Sequence, residues 1–132
     1  MASYKDLIVW QKAMDLVVEI YRICKFLPKE ENYGLSDQMR RSVISIDSNI
    51  AEGQARDSKK DFLRFLLIAQ GSKAELETQI EICRRLKYIP DNELQKSENL
   101  ASETGKMLRN LIRKLQEPSS FPTNNYQPPT NN

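Results

Sequence analysis

Residues 38–53 read Gln-Met-Arg-Arg-Ser-Val-Ile-Ser-Ile-Asp-Ser-Asn-Ile-Ala-Glu-Gly, and this segment points most directly to the architecture. At about 3.6 residues per turn its apolar residues align on one helix face, namely Met39, Val43, Ile46 and Ile50. Beside them runs a line of small or amide side chains, formed by Gln38, Ser42, Ser45, Asn49 and Gly53. A surface helix would carry long charged side chains there. The pattern therefore predicts an inner helix of a bundle in close contact with a neighbouring helix.

The composition of the whole chain favours long helices. Of 132 residues, 39% are hydrophobic and 29% are charged, and only four are glycine. Four of the six prolines follow residue 116, so the preceding part has few chain breakers. The net charge of +2 is too small to indicate a nucleic-acid partner by itself.

The residue types present disfavour a histidine-dependent active site, a cysteine-based site, secretion and insertion into a membrane. The chain has no histidine, the commonest general base and metal ligand near neutral pH. Cys24 and Cys83 lie on apolar stripes outside any C-x-x-C pair, which favours buried free thiols over a disulfide or ligand pair. The first residues lack a signal-peptide pattern, and no apolar run approaches the roughly 20 residues of a membrane span. We therefore expect a soluble cytoplasmic protein with no metal, no cofactor and no membrane partner.

Four amphipathic helices are predicted from periodicity and from helix-start and helix-stop residues. The first is expected to be capped by Asp6 and to run to about Phe26, with Trp10 as an anchor at one end of the bundle and with Glu19 and Arg22 on its wet stripe. The other three are expected at Ser36–Gly53, Ser58–Lys87 and Asp91–Gln116, with Gly53 ending the second in a left-handed conformation. Residues 1–116 form the predicted bundle, and residues 117–132 form a predicted disordered tail rich in proline and asparagine.

Two short connections favour an antiparallel up-down-up-down order. In that order Ser42 faces the region of Ala69, while Gly71 and Ala74 face the region of Gly105. Glycine inside a helix costs up to about 1 kcal/mol relative to alanine. We therefore predict that Gly71 and Gly105 permit close helix approach and that Gly71→Leu strongly lowers the melting temperature.

The motif of the second helix also carries a family resemblance. Arg40-Arg41, then Ser45-Ile46, then residues 49–53 (Asn-Ile-Ala-Glu-Gly) resemble the signature of small four-helix-bundle proteins encoded in intervening sequences of bacterial 23S rRNA genes. Residues 7–13, 33–38 and 62–72 agree with it, so the resemblance spans roughly residues 4–90. It implies a ring-like homo-oligomer, specifically a homopentamer, and kinship with accessory proteins of diversity-generating retroelements. Those proteins are similar in fold, bind nucleic acid and partner a reverse transcriptase.

Basic residues are the candidate nucleic-acid contacts, because arginine can hold phosphate with two hydrogen bonds. They are Arg40, Arg41, Arg56, Lys59, Lys60, Arg64, Arg84 and Arg85. In an up-down bundle the groups at 56–64 and 84–87 lie at opposite ends. The alternative is that these are solvated helix ends, largely neutralised by Asp57, Asp61, Glu81 and Glu93. A ring would repeat a modest patch into a continuous basic surface.

Other motif residues are read as structural rather than functional. Asn49 is expected to satisfy polar groups in the core, and Arg41 and Glu52 to pair across an interface. The full structural set is Trp10, Gln38, Ser45, Asn49, Glu52, Gly53 and Gly71.

No pattern in the chain matches a catalytic site. The sequence lacks a Glu-x-x-His repeat, a glycine-rich phosphate loop, a nucleophile elbow and a zinc pattern. We therefore predict a non-enzymatic all-α oligomer that binds nucleic acid, RNA rather than DNA, through charge. The alternative is a protein-interaction scaffold or an accessory subunit of a polymerase-type partner, and nothing in the sequence supports a small-molecule pocket.

Overall fold

The computed structural model describes residues 3–118, which form a four-helix bundle without β-strands in that range. The helices are α1 (Ile8–Cys24), α2 (Leu35–Gln54), α3 (Lys59–Arg85) and α4 (Asp91–Gln116), with short 3-10 turns at Tyr4–Asp6 and Lys29–Glu31. The all-α class is therefore confirmed. The predicted tail lies outside the described residues except for Glu117 and Pro118. None of the helices in residues 3–118 is both long and apolar enough to cross a membrane.

Helix starts agree with the sequence prediction at α3 and α4 and differ at α1 and α2. The Asp61 backbone N–H donates to Ser58 Oγ at 3.0 Å, so Ser58 caps α3 as predicted. Asp6 does not cap α1, because it belongs to a preceding turn capped by Ser3. The Leu35 N–H at the start of α2 donates to Glu31 Oε1 at 3.1 Å, and α4 begins at Asp91 itself after Pro90.

Helix ends bring two corrections. Gly53 does not end α2 in a left-handed conformation, since the helix continues through Gln54 and no described glycine has positive φ. The left-handed residue is Lys87, with φ of 60°, immediately after α3. There the Tyr88 N–H donates to the Cys83 carbonyl at 3.0 Å, closing the helix end. Tyr88 is then held by its hydroxyl, which donates to Glu31 Oε2 at 2.9 Å.

One apolar core runs between all four helices. Its completely buried side chains include Leu16, Met39, Ile46, Leu66 and Leu108. Both cysteines are free and buried, as predicted, and burial raises the pKa of the Cys83 thiol to about 12. The Cys83 thiol contacts Met39 Sδ at 3.5 Å, which places the beginning of α2 beside the end of α3.

The line of small residues on α2 packs against α3, as the sequence predicts. Gly53 is buried where a Cβ atom would lie 2.8 Å from Phe65 Cβ and 2.9 Å from Phe62 Cδ1. Farther along the same contact, Ser45 Oγ and Ser72 Oγ are hydrogen-bonded at 2.7 Å, and Asn49 Nδ2 donates to the Ser45 carbonyl at 2.8 Å. Absence of a side chain at Gly53 is thus what lets the two helices approach.

The predicted alignment of α2 with α3 is wrong by more than one helical turn. Ser42 was expected to face Ala69, but it borders a small groove together with Glu75 and Gln79. The contacts of Gly53 with Phe62 and Phe65, and of Ser45 with Ser72, fix the axial position of α3 along α2 at this different level.

The prediction for the two mid-helix glycines is half right. Gly105 on α4 is buried beneath the Lys73 side chain, so α3 and α4 do approach closely at this level. Gly71 is exposed, and a Cβ atom there would meet nothing within 4 Å. Inside this subunit Gly71 permits no close contact, and the expected loss of stability in Gly71→Leu has no structural basis.

Candidate nucleic-acid interface

Four of the predicted basic residues meet where α2 turns into α3, and we call this group the α2–α3 corner: Arg56, Lys59, Lys60 and Arg64. Phe65 holds two of them in place. The Arg56 guanidinium lies 5.0 Å from the centroid of the Phe65 ring and the Arg64 guanidinium lies 4.7 Å from it. Such cation–π contacts orient both arginines over a ring that is itself buried.

Acidic neighbours neutralise this corner only in part. Arg56 pairs with Glu52 at 3.1 Å, and Arg64 reaches Asp61 only at 3.9 Å. Lys59 and Lys60 are exposed and form no ion pair with any described residue. Exposed pairs on one helix contribute little free energy and exchange readily for other partners. The corner is therefore open to a phosphate ligand.

Arg84 lies at the far end of α3 and is held by three carboxylates. It pairs with Glu81, with Asp91 at 3.0 Å and with Glu98 at 2.5 Å, which ties α3 to α4. Hydrogen bonds to Glu98, then to Glu81, raise the pKa of the guanidinium. Its neighbour Arg85 is 81% exposed and pairs with Glu81 at 3.0 Å. The predicted pair is thus divided into a structural arginine and an exposed one.

Arg40 and Arg41 lie at that same end of the bundle, since neighbouring Met39 contacts Cys83. Arg40 donates to the Asn32 carbonyl at 3.2 Å and stands 5.9 Å from the Tyr21 ring centroid. Arg41 is 79% exposed and pairs with Asp37 at 2.9 Å. Within the subunit, then, Arg41 and Glu52 each pair along their own helix, and the predicted pairing across an interface is not formed between residues 3–118 of one chain.

Sequence reasoning missed Asp47, which lies on α2 between core and surface. Its side chain is 7% exposed, and neither carboxylate oxygen has a hydrogen-bond partner among the described residues. Burial alone raises the pKa of this carboxyl to about 7. Asp47 borders a groove of about 310 Å³ between α1 and α2, the α1–α2 groove, whose other lining residues are Tyr4, Trp10, Met14, Val17, Ile44, Ser48 and Ala51. The sequence gives only one indication of this burial, which is that Asp47 directly follows the core residue Ile46.

A second feature without a sequence signal is the outer surface of α3. Apolar or small residues recur along it at helical spacing, and we call them the α3 face: Leu67, Ile68, Gly71, Ala74, Thr78, Ile82 and Leu86. Its four larger apolar side chains are 41–53% exposed. A groove of about 620 Å³ runs along its second half. Exposed apolar residues in a continuous strip are typical of contact surfaces.

The remaining predicted motif residues have structural surroundings. Trp10 is half-buried and meets Tyr4 edge to face, with ring centroids 5.3 Å apart. Gln38 lines the groove that also contains Arg41, Glu75 and Gln79. In residues 3–118 no group of three or more histidine, cysteine, aspartate or glutamate side chains could hold a metal ion.

Comparison with known proteins gives a family and a fold relative. Residues 5–110 match the model of the 23S rRNA-intervening sequence protein family. A crystal structure of a protein with unknown function from the S23 ribosomal protein family of Bacteroides thetaiotaomicron is 31% identical. That similarity covers 80% of this chain and 99% of the other, with a TM-score of 0.74. A comparison with curated proteins finds no match. The chain belongs to the 23S rRNA-intervening sequence protein family.

Proposed function

We propose that this protein is a non-enzymatic nucleic-acid-binding protein that contacts phosphates through the α2–α3 corner. The observation that carries the proposal is the pair Lys59 and Lys60, exposed and without ion pairs to the described residues, next to two arginines oriented by Phe65. Arginine offers planar paired donors to a phosphate, and lysine adds a mobile point charge. Arg41 and Arg85, both about four-fifths exposed, are secondary contacts at the other end.

Binding of this kind is electrostatic and only weakly selective for sequence. At the corner Phe65 is buried beneath the guanidinium groups, so it offers no open ring for base stacking. Phosphate contacts fix position on a nucleic acid without reading bases. We place RNA before DNA because the family is named for a segment of 23S rRNA.

Assembly is the second part of the proposal. One corner supplies four cations, and a ring of subunits, with five copies as the resemblance implies, repeats them around an axis. The strip of exposed apolar residues on α3 supports association. An antiparallel up-down-up-down order belongs to the same proposal, and it is supported by the contacts of Met39 with Cys83, Ser45 with Ser72, and Gly53 with Phe65.

The test is charge reversal at the corner. Lys59→Glu with Lys60→Glu should reduce retention of a labelled single-stranded RNA at least tenfold at 50 mM salt, because two phosphate contacts become repulsive. The matched control is Lys106→Glu with Arg109→Glu on α4, which changes the net charge equally away from the corner. Equal losses in both variants would reduce the effect to net charge and contradict a site at the corner.

The alternative function, a protein-interaction scaffold for a polymerase-type partner, is favoured by the α3 face rather than by the corner. Charge reversal at the corner separates the alternatives, because it should abolish RNA retention and leave the capture of a polypeptide by the α3 face unchanged. If wild-type protein retains no RNA and no DNA at low salt while the α3 face proves necessary for capture of a partner polypeptide, the scaffold function replaces the nucleic-acid function.

A further inference from the structure

The α1–α2 groove combines aromatic rings with a buried carboxylate, and neither the packing of the bundle nor the α2–α3 corner uses that carboxylate. We propose that the groove binds a small organic ammonium ion, with its hydrocarbon part along the apolar lining and its charged nitrogen on Asp47. The inference goes beyond the proposed function, because it concerns another kind of ligand and side chains that are not part of the corner.

The N-terminal 3-10 turn builds the aromatic part of the groove. Gln11 of α1 holds this turn in place, because its Nε2 donates to the Lys5 carbonyl at 2.9 Å. Tyr4 of the turn thereby meets Trp10 edge to face, with ring centroids 5.3 Å apart. Both side chains line the groove and are only half-buried, so part of each ring remains open to a ligand. Aromatic rings attract ammonium groups electrostatically, and they do so more strongly where water is excluded.

The Asp47 carboxylate supplies the requirement for a cation. The residue is 7% exposed, and both of its oxygens lack a hydrogen-bond donor among residues 3–118. Burial is the only cause of the raised pKa of this carboxyl, so no cationic side chain of the described residues compensates its charge. A buried carboxylate without a partner raises the free energy of the folded state, and a ligand that brings a positive donor offsets that cost.

The basic residues of the two helices that form the groove are all engaged elsewhere. Lys12 pairs with Glu103 at 3.3 Å, Arg22 with Glu19 and with Glu93 at 3.0 Å, Arg40 with the Asn32 carbonyl at 3.2 Å, and Arg41 with Asp37 at 2.9 Å. The cation that would neutralise Asp47 therefore has to come from outside the bundle.

The rest of the lining selects an ammonium ion that carries a hydrocarbon chain. Met14 and Ile44 border the groove and are 38% and 42% exposed, so a hydrocarbon chain lying on them would be removed from water. The volume of about 310 Å³ suits a small molecule with a short chain. Both Asp47 oxygens are closed to solvent, so binding includes a rotation of this side chain toward the groove.

Tryptophan fluorescence provides the assay, because Trp10 is the only tryptophan of the chain and lines the groove. The probes are hexylammonium, hexanol and hexanoate, titrated at pH 8, where most of the Asp47 carboxyl is ionised. Asp47→Asn removes the charge with little change of shape. Asp15→Asn, which removes an exposed carboxylate of α1, is the matched control. Ala51→Leu fills the groove and keeps the carboxylate, and it serves as the second variant should Asp47→Asn unfold.

We expect wild-type and Asp15→Asn protein to bind hexylammonium with the same Kd and about tenfold or more tightly than hexanol, because a hydrogen bond to a charged group adds to the apolar contact. Asp47→Asn should bind hexylammonium about tenfold or more weakly than wild type and should bind hexanol as wild type does. Ala51→Leu should weaken the binding of both compounds. Bound hexylammonium should also raise the Tm of wild-type protein.

Four results would overturn the inference. Equal affinities of wild-type protein for hexylammonium and hexanol, or tighter binding of hexanoate, would show a groove without preference for a cation. Equal affinities of wild-type and Asp47→Asn protein for hexylammonium would show that the carboxylate is not contacted. An unchanged fluorescence and Tm with every probe would remove the site. Tighter binding of a blocked lysine than of hexylammonium would assign the groove to a protein side chain. None of these measurements involves RNA, so the phosphate site stands or fails on its own result.

Discussion

The inner and outer sides of α3 are built for different neighbours. The inner side presents Phe65, Leu66, Ala69 and Ser72, all buried against the rest of the bundle. The outer side presents Leu67, Ile68 and Gly71, which leave large fractions of their surface open. Helical periodicity identifies the first set because it must be apolar for the subunit to fold. The second set has no role in the isolated subunit, and its role has to be sought in contacts outside it.

The largest difference between the two sides should appear for adjacent leucines. Leu66 is 0% exposed and Leu67 is 47% exposed. Leu66→Ala removes buried methyl groups and leaves a cavity, so the free energy of unfolding should fall by about 2–5 kcal/mol. Leu67→Ala should change it by less than about 0.5 kcal/mol. Urea unfolding of both variants measures these free energies. Similar losses of stability would contradict the assignment of Leu66 to the core and Leu67 to the surface.

Gly53→Ala tests the seam between α2 and α3. The added Cβ atom would lie within 3 Å of Phe62 and Phe65 side-chain atoms, so one helix must shift. Overpacking of this kind costs about 1–3 kcal/mol, more than the helix-propensity gain from alanine. A variant that unfolds at the wild-type urea concentration would contradict the close approach.

The buried carboxyl of Asp47 should make the stability of the folded protein depend on pH. Burial raises the folded-state pKa to about 7, above the ordinary value of about 4. Between these values the folded state holds a proton that the unfolded state has released, so stability falls as pH rises from about 4 to about 7. Asp47→Asn removes this effect, so its free energy of unfolding should exceed that of wild type by up to about 4 kcal/mol at pH 8, with little gain at pH 4. Stability measured by urea unfolding at pH 4 and pH 8 checks this. A gain from Asp47→Asn that is the same at both pH values would contradict the burial of an unpartnered carboxylate at position 47.

Gly71→Ala should have the smallest effect on the subunit and the opposite sign from Gly53→Ala. With open space at the Cβ position, alanine should raise the free energy of unfolding by about 0.5–1 kcal/mol through helix propensity. Thermal melting of dilute protein measures it. Destabilisation would restore the sequence-based expectation that Gly71 is packed inside the subunit.

The sequence is enough to predict which face of each helix is buried. The apolar line of α2 and the small line beside it correctly identify an inner helix and its close neighbour, and Ser58 correctly marks the start of α3. Periodicity says which face of a helix is buried and nothing about its axial position relative to the next helix. The α2–α3 alignment was therefore missed, because it depends on how Phe62 and Phe65 fit around Gly53.

Charged residues show a second limit of sequence reasoning. Glu19, assigned to the wet stripe of α1, is 3% exposed because Arg22 covers it and links it to Glu93 of α4. Arg84 and Arg85 are adjacent in sequence, yet one ties three carboxylates together and the other points to solvent. Such differences arise from side chains on other helices, which a single sequence does not place.

Salt dependence of RNA binding tests the proposed function most directly. If about five phosphates are neutralised, log K plotted against log salt should have a slope of roughly −3.5 to −4.5. The Lys59→Glu, Lys60→Glu variant should give weaker binding and a shallower slope. Wild-type binding that is unchanged between 50 and 200 mM salt, or no binding at 50 mM, would contradict phosphate recognition by the α2–α3 corner.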